Sequence, residues 1–284
     1  LGRAFQTNRL TPHGPAEAGD HLVEGWHKMD MLRVDDLGGG LQRFTLNRPH
    51  RLNALDQPMV EALLAHFESL RRNRDVRVVI LHGTGRAFCA GGDLKAVGKP
   101  EALQDGLRGD WVLRDVMTAM RSCPQPLIAT VRGAAAGGGM ALALNCDVIV
   151  ASESAVFHPV FISIGLSGTE LGISWRLQRT IGLSKARETL LANRPIRSAD
   201  ALRWGLVSEV TSEEDLDGYG EALAREMLPA APDVLRVSKR SFDASLEQPS
   251  FAAALEAEER NQLLMVVRDK GRIPLFTPAC RSGA

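Results

Sequence analysis

Two stretches of the chain combine residue types that leave backbone amides open to a ligand. Residues 87–95 read Ala-Phe-Cys-Ala-Gly-Gly-Asp-Leu-Lys, and residues 133–140 read Gly-Ala-Ala-Ala-Gly-Gly-Gly-Met. Glycine at Gly91, Gly92 and Gly137 to Gly139 removes the side chains, so NH groups at the starts of the following helices can approach a ligand oxygen directly. Two such turns side by side would form an oxyanion hole, where paired donors stabilise charge developing on a carbonyl oxygen. The plainer reading is that the glycines only permit a tight turn and close helix packing.

Both turns need a rigid mount, and the flanking sequence supplies one. Residues 76–81 and 127–131 are short apolar runs that read as buried strands, each placed just before its turn. Upstream, two apolar segments within residues 31–46 flank Gly38-Gly39-Gly40, which suits a hairpin connection. Asp56 can cap a helix whose Met59, Val60, Leu63, Leu64, Phe67 and Leu70 recur on one face, with Arg71, Arg72 and Arg74 as its solvated end. Residues 98–122 read as a loop and then an amphipathic helix carrying Trp111, Leu113, Val116, Met117 and Met120. After Trp175 the expected helices are 184–192, 198–204, 232–246 and 250–267, with a short strand within 205–210. Phe251, Leu255, Leu263 and Leu264 are expected to form a buried seam in the last helix.

Taken together with Pro126-Leu-Ile-Ala-Thr-Val-Arg before the second turn and Ala-Leu-Ala-Leu-Asn-Cys-Asp147 after it, the two stretches resemble the crotonase family, the enoyl-CoA hydratase/isomerase superfamily. The likeness begins near Leu46-Asn-Arg-Pro and runs to about Val210. It implies an α/β fold, a crotonase-type spiral of ββα units with a C-terminal helical oligomerisation region. It also implies an acyl-CoA substrate whose thioester oxygen sits between the amides of Gly92 and Gly138. By the same likeness Arg48 and Arg51 are expected along the CoA, near its phosphates, and Ala90, Asp93, Leu94 and Phe161 in the substrate and CoA-binding surface. Asp93 is read as steadying a helix start rather than performing chemistry. The helix within 98–122 is expected to wall the acyl pocket, with Trp111, Arg114 or Asp115 either facing substrate or packed.

Hydratases of this family carry two glutamates, and the matching positions here read Ala141 and Phe161. Neither residue can move a proton, whereas adding water to a conjugated thioester needs both a base and an acid. A carboxylate remains nearby in Gly165-Leu-Ser-Gly-Thr-Glu-Leu-Gly, where Glu170 is the candidate acid/base. Its other reading is a cap for the helix beginning near Gly172. His158, beside Phe157 and Pro159, is expected to be packed rather than catalytic. One carboxylate suffices for a double-bond shift, so isomerisation of an enoyl-CoA fits better than hydration. The alternative is a non-catalytic acyl-CoA-binding or assembly subunit.

The remaining features bound the function. The chain has 284 residues, with 34 Lys plus Arg against 34 Asp plus Glu, so no net field favours nucleic acid or an anionic membrane. No apolar run approaches the roughly 20 residues of a membrane span. Cys89, Cys123, Cys146 and Cys280 are scattered without a Cys-x-x-Cys pair, consistent with reduced thiols and a cytoplasmic location. Asp20, His21, Glu24 and His27 match no ligand signature, so no metal site and no cofactor beyond the substrate's CoA are expected. Gly83-Thr-Gly85-Arg-Ala-Phe88 lacks the last glycine of a dinucleotide fingerprint, no Gly-Lys-Ser/Thr follows a glycine loop, and Gly165-Leu-Ser-Gly is not a nucleophile elbow. Residues 1–28 read as a disordered leader, 29–215 as the catalytic core and 216–284 as a helical region for a homotrimer or hexamer. Gly271, Pro274 and Pro278 break the expected final helix.

Overall fold

The computed structural model describes residues 31–93 and 103–268, the segment 103–111 through its helical backbone alone. The expectations for residues 1–28, for Leu94, for the Trp111 side chain and for the tail holding Gly271, Pro274, Pro278 and Cys280 lie outside the described residues.

Nine strands occur among those residues: β1 (Leu32–Asp36), β2 (Leu41–Leu46), β3 (Val78–Gly83), β4 (Leu127–Val131), β5 (Ala134–Ala136), β6 (Val148–Ser152), β7 (Val156–His158), β8 (Ile196–Arg197) and β9 (Glu209–Thr211). The helices are α1 (Gln57–Leu70), α2 (Leu103–Ser122), α3 (Gly138–Leu144), α4 (Ile173–Thr180), α5 (Leu183–Leu191), α6 (Ser198–Arg203), α7 (Leu216–Met227), α8 (Pro232–Ser245) and α9 (Phe251–Arg268). A six-stranded sheet has the order β1-β2-β3-β4-β6-β9, and a smaller one the order β5-β7-β8. Only the β1–β2 hairpin is antiparallel in the larger sheet, with Leu32 opposite Leu46. From β2 onward its pairs are parallel, and β5 runs parallel to β7.

Every residue of β3 is buried, as a central parallel strand covered on both faces requires. Its pleat divides the interior in two. Val79 and Leu81 join Phe44, Met59, Leu63 and Phe67 on one side, while Val78 and Ile80 meet Leu41, Ile128 and the α7 residues Leu216 and Ala224 on the other. The strand begins at Val78, two residues later than expected. Asn73 Oδ1 accepts from the amides of Asp75 (2.9 Å) and Val76 (3.3 Å), which holds the preceding segment in a turn.

The α1 expectation holds at its cap, since Asp56 Oδ1 accepts from the Met59 amide at 3.1 Å. Met59, Val60, Leu63, Phe67 and Leu70 are buried, and Leu64 is half-buried at the edge of that face. The seam expected in the last helix is corrected by the structure. Phe251, Leu255, Leu263 and Leu264 are exposed by 83, 44, 64 and 61%, because α9 packs chiefly on α8 and presents its other faces outward. Among the described residues no helix is long and apolar enough to cross a membrane.

Between β3 and α7 lies a buried polar cluster. His82 Nδ1 stands 3.1 Å from Thr130 Oγ1 and 3.2 Å from Asp217 Oδ1, while Arg132 pairs with Asp217 at 3.0 Å. Burial pulls the His82 pKa down from 6.5 to about 4; Asp217 opposes that shift, and Arg132, Arg43 and Arg33 reinforce it. The unfolded chain therefore binds the extra proton between about pH 6.5 and 4. Stability is full above that window and falls as pH drops through it. Melting temperatures across pH should show this decline, and His82→Gln should flatten it; His66, also lowered by burial, keeps its own share.

Candidate active site

Two segments converge on the first glycine turn and fix its path. The buried Asn53 amide donates to Thr84 O (2.9 Å) and Ala87 O (2.8 Å), and its oxygen accepts from the Arg48 amide (2.8 Å). Ala90 N donates to Leu52 O, Leu55 N to Gly91 O and Asp93 N to Leu55 O, at 3.0, 2.7 and 2.8 Å. This short ladder runs on either side of Gly92 and leaves its NH out of the pattern.

The second turn is hydrogen-bonded to the first. Cys89 N donates to Ala134 O at 3.0 Å and Ala136 N to Cys89 O at 2.9 Å, a parallel bridge between Cys89 and Ala135. Gly139 is required by this approach, since a Cβ there would lie 2.2 Å from Cys89 O. Gly91 combines a φ of +90° with a hypothetical Cβ only 3.3 Å from Gly138 N. The two readings of the glycines thus divide by position: Gly139 serves close packing, while Gly92 and Gly138 carry amides. Neither of those two NH groups donates to an acceptor among the described residues. For Gly138 the reason is general, because the first amides of an α-helix have no intrahelical partner.

The walls around the pair are apolar. Leu55 and Leu113 approach Gly138, their methyl carbons 3.1 and 3.2 Å from where its Cβ would be. Ala141 is fully buried in α3, and Phe161 is buried with its ring 3.8 Å from the Cβ position of Gly137. Val160, just before it, carries a φ of 51°, rare for a β-branched residue. Cys89 is not a nucleophile here, because burial pushes its thiol up to about 12.

The other expected site residues are distributed differently. Arg51 is exposed on the turn Pro49–Arg51, and Ala90 is half-buried. Arg48 points inward: its guanidinium reaches Ala54 O (2.5 Å), Asp56 Oδ2 (3.1 Å) and Asp93 Oδ2 (3.2 Å). A side chain bound at three internal acceptors is turned away from solvent, whereas Arg51 is free to reach outward. His158 Nε2 lies 3.0 Å from Asn193 O, a packing contact. Arg114 and Asp115 are exposed and paired at 3.3 Å.

Glu170 lines a cleft of about 700 Å³ with Arg114, Met117, Leu144, Trp175 and Glu247. Arg121 and Asp243, paired at 2.5 Å, also line it. At the start of α4 the Glu170 carboxylate accepts from the Leu171 amide at 3.3 Å and its backbone carbonyl from Ile173 N at 3.0 Å, so its side chain meets the segment before the helix and its main chain the first helical amide. Gly92 and Gly138 do not line the cleft. Leu144 and Asn145 place it at the far end of the seven-residue α3, about 10 Å of helix from Gly138. Helix α2 spans the interval, with Leu113 at the glycine pair and Met117 in the cleft. Asn53 is the site-forming residue that the sequence left unassigned, because a buried amide carries no local signal of what it touches; Leu113 lies on the helix expected to wall the pocket.

Comparison with known proteins places this geometry among a large set of similar chains. The family model described as enoyl-CoA hydratase/isomerase matches residues 37–272. A probable enoyl-CoA hydratase of Mycobacterium tuberculosis is 33% identical over 281 residues, covering 93% of this chain and 99% of that protein. The crystal structure of a putative enoyl-CoA hydratase from Streptomyces coelicolor superposes with a TM-score of 0.79 at 32% identity, covering 92% of each chain. A monofunctional enoyl-CoA isomerase from M. smegmatis superposes with a TM-score of 0.68 at 35% identity, covering 80% of this chain and 98% of the other.

Proposed function

The chain belongs to the enoyl-CoA hydratase/isomerase family, and from that premise we propose that it holds an acyl-CoA thioester oxygen between the Gly92 and Gly138 amides while an enolate forms. The observation carrying this reading is the bonded pair of turns whose two NH groups have no acceptor among the described residues. Loss of one such donor typically raises a barrier by about 3 kcal/mol.

The favoured reaction is double-bond isomerisation of an enoyl-CoA. Hydration needs proton-transfer groups at the two carbons beside the thioester, and the apolar Ala141 and Phe161 stand in that neighbourhood. A double-bond shift needs one group that takes the proton from the α carbon and returns it at the γ carbon. Glu170 is the carboxylate proposed for that task, which requires the segment carrying it to move from its cleft toward the glycine pair when substrate binds. Hydration by a water held on Glu170 is the second reading, favoured by the relatives described as hydratases.

Arg51 serves the CoA phosphates, Ala90 and Phe161 complete the substrate surface, and no cofactor other than the substrate's own CoA takes part. Exposed Phe242, Phe251 and Leu263 on α8 and α9 support assembly as a homotrimer or hexamer. The buried, unpaired Cys89, Cys123 and Cys146 suit a reducing cytoplasm.

Deuterium incorporation in heavy water tests the reading, with a short and a medium enoyl-CoA, wild type beside Glu170→Gln. The expected result is exchange in the wild type that is lost in the variant, with label at the γ rather than only the α carbon. Equal exchange in both proteins would remove Glu170 from the mechanism. Saturable binding without exchange in either would favour a non-catalytic acyl-CoA-binding subunit.

A further inference from the structure

We propose that Arg48 is a positioning residue for the Gly92 amide, acting through the Ala54–Leu55 peptide, with Asp56 and Asp93 holding its guanidinium in place. The inference rests on the oxyanion reading above. Arg48 Nη1 donates to Ala54 O at 2.5 Å; Nη2 donates to Asp93 Oδ2 at 3.2 Å and lies 3.1 Å from Asp56 Oδ2. The Arg48, Asp56 and Asp93 side chains are only 11, 15 and 10% exposed, so the three charges face one another with little solvent between them.

Each acceptor belongs to a different structural task. Ala54 lies in the segment whose next residue, Leu55, bonds both Gly91 O and Asp93 N across Gly92. Asp56 caps α1 through the Met59 amide. The Gly92 NH belongs to the Gly91–Gly92 peptide, whose carbonyl accepts from Leu55 N, and Leu55 N belongs in turn to the peptide whose carbonyl, Ala54 O, accepts from Arg48. A planar guanidinium can serve three acceptors in fixed directions, which the compact ammonium of lysine does less well. Without the arginine the Ala54 carbonyl would lose its charged donor and Asp56 and Asp93 the cation they share. The Ala54–Leu55 peptide would be free to tilt, and the Gly91–Gly92 peptide bonded to it would tilt as well. The backbone ladder fixes where the turn runs, and the guanidinium fixes how its donor points.

The test reads the donor itself. The infrared stretch of a 13C-labelled thioester carbonyl in bound trans-2-octenoyl-CoA reports hydrogen bonding at that oxygen, and steady-state kinetics on trans-3-octenoyl-CoA separate kcat from KM. Full-length wild type, Arg48→Met, Arg48→Lys, Asp93→Asn and Gly138→Pro are compared, each checked by circular dichroism. Expected is a stretch lowered by the wild type that relaxes toward the free value in Arg48→Met, with kcat down at least about tenfold, KM within about threefold and partial recovery in Arg48→Lys. Asp93→Asn, which keeps the side-chain shape, should move the stretch the same way and decides the matter if Arg48→Met does not fold. A wild-type stretch and kcat in folded Arg48→Met or Asp93→Asn, beside a relaxed stretch in Gly138→Pro, overturns the positioning role alone. An unchanged stretch in Gly138→Pro overturns the oxyanion reading and this inference with it.

Discussion

Replacing Gly138 with proline is expected to lower kcat by about 10²–10³-fold with the fold intact, the loss found when one oxyanion donor is deleted. Gly138 is the first residue of α3, where proline is well tolerated because its missing NH would have had no helical partner. The preceding Gly137 has φ 50° and ψ −117°, the mirror image of the extended conformation that residues before proline adopt, and open to glycine alone. A Cβ at position 138 would stand 3.1 Å from Leu55 Cδ1 and 3.2 Å from Leu113 Cδ2, both ends of flexible side chains. Gly138→Ala adds the same carbon and keeps the NH, so it should retain most of the activity. Steady-state kinetics on the pair separate the two effects. An equal loss in both variants would assign the effect to crowding, and full activity in the proline variant would remove Gly138 from the site.

Gly139→Ala is expected to destabilise the protein by about 3 kcal/mol, at the upper end of overpacking effects, and to abolish turnover. Helix propensity alone predicts the opposite, since alanine is favoured over glycine by about 1 kcal/mol in a helix. The added methyl would lie 2.2 Å from Cys89 O and 2.7 Å from Cys89 Cβ. A clash against backbone has no rotamer to relieve it, so the Cys89–Ala135 bridge must open and the two turns separate. Thermal unfolding should register a drop of about 6–12 °C. An unchanged melting temperature would show that the contact between the turns is not what fixes their spacing.

Much of the framework was legible because its signals are local. The hairpin at Gly38 to Gly40, the Asp56 cap, the buried strand 127–131 and the two glycine turns each follow from residue type and short-range order. Features decided by distant partners were not legible. Arg48 looked like a phosphate ligand because nothing in its neighbourhood announces that Asp93, 45 residues on, will meet it in the interior. Glu170 and the glycine pair lie within one apparent motif region, yet α3 sets its cleft apart from them. The helical period of Phe251, Leu255, Leu263 and Leu264 is real, but a period says only that a face is apolar and not what covers it. For the glycines, the packing and amide readings could not be separated until Cys89 O was found against Gly139 alone.

The pairing of Cys89 with Ala135 also separates two kinds of heritable information. Donors made of peptide NH are specified by the route of the chain and the few side chains that brace it, so substitutions at lining positions outside that brace leave them in place. Proton-transfer groups are specified by residue identity, at positions such as Ala141, Phe161 and Glu170. On the proposed reading, sequence drift at those positions changes which carbon receives a proton while the paired turns are inherited unaltered. A laboratory search for new reactions on this scaffold would therefore diversify those three positions and leave residues 89–92 and 135–139 untouched.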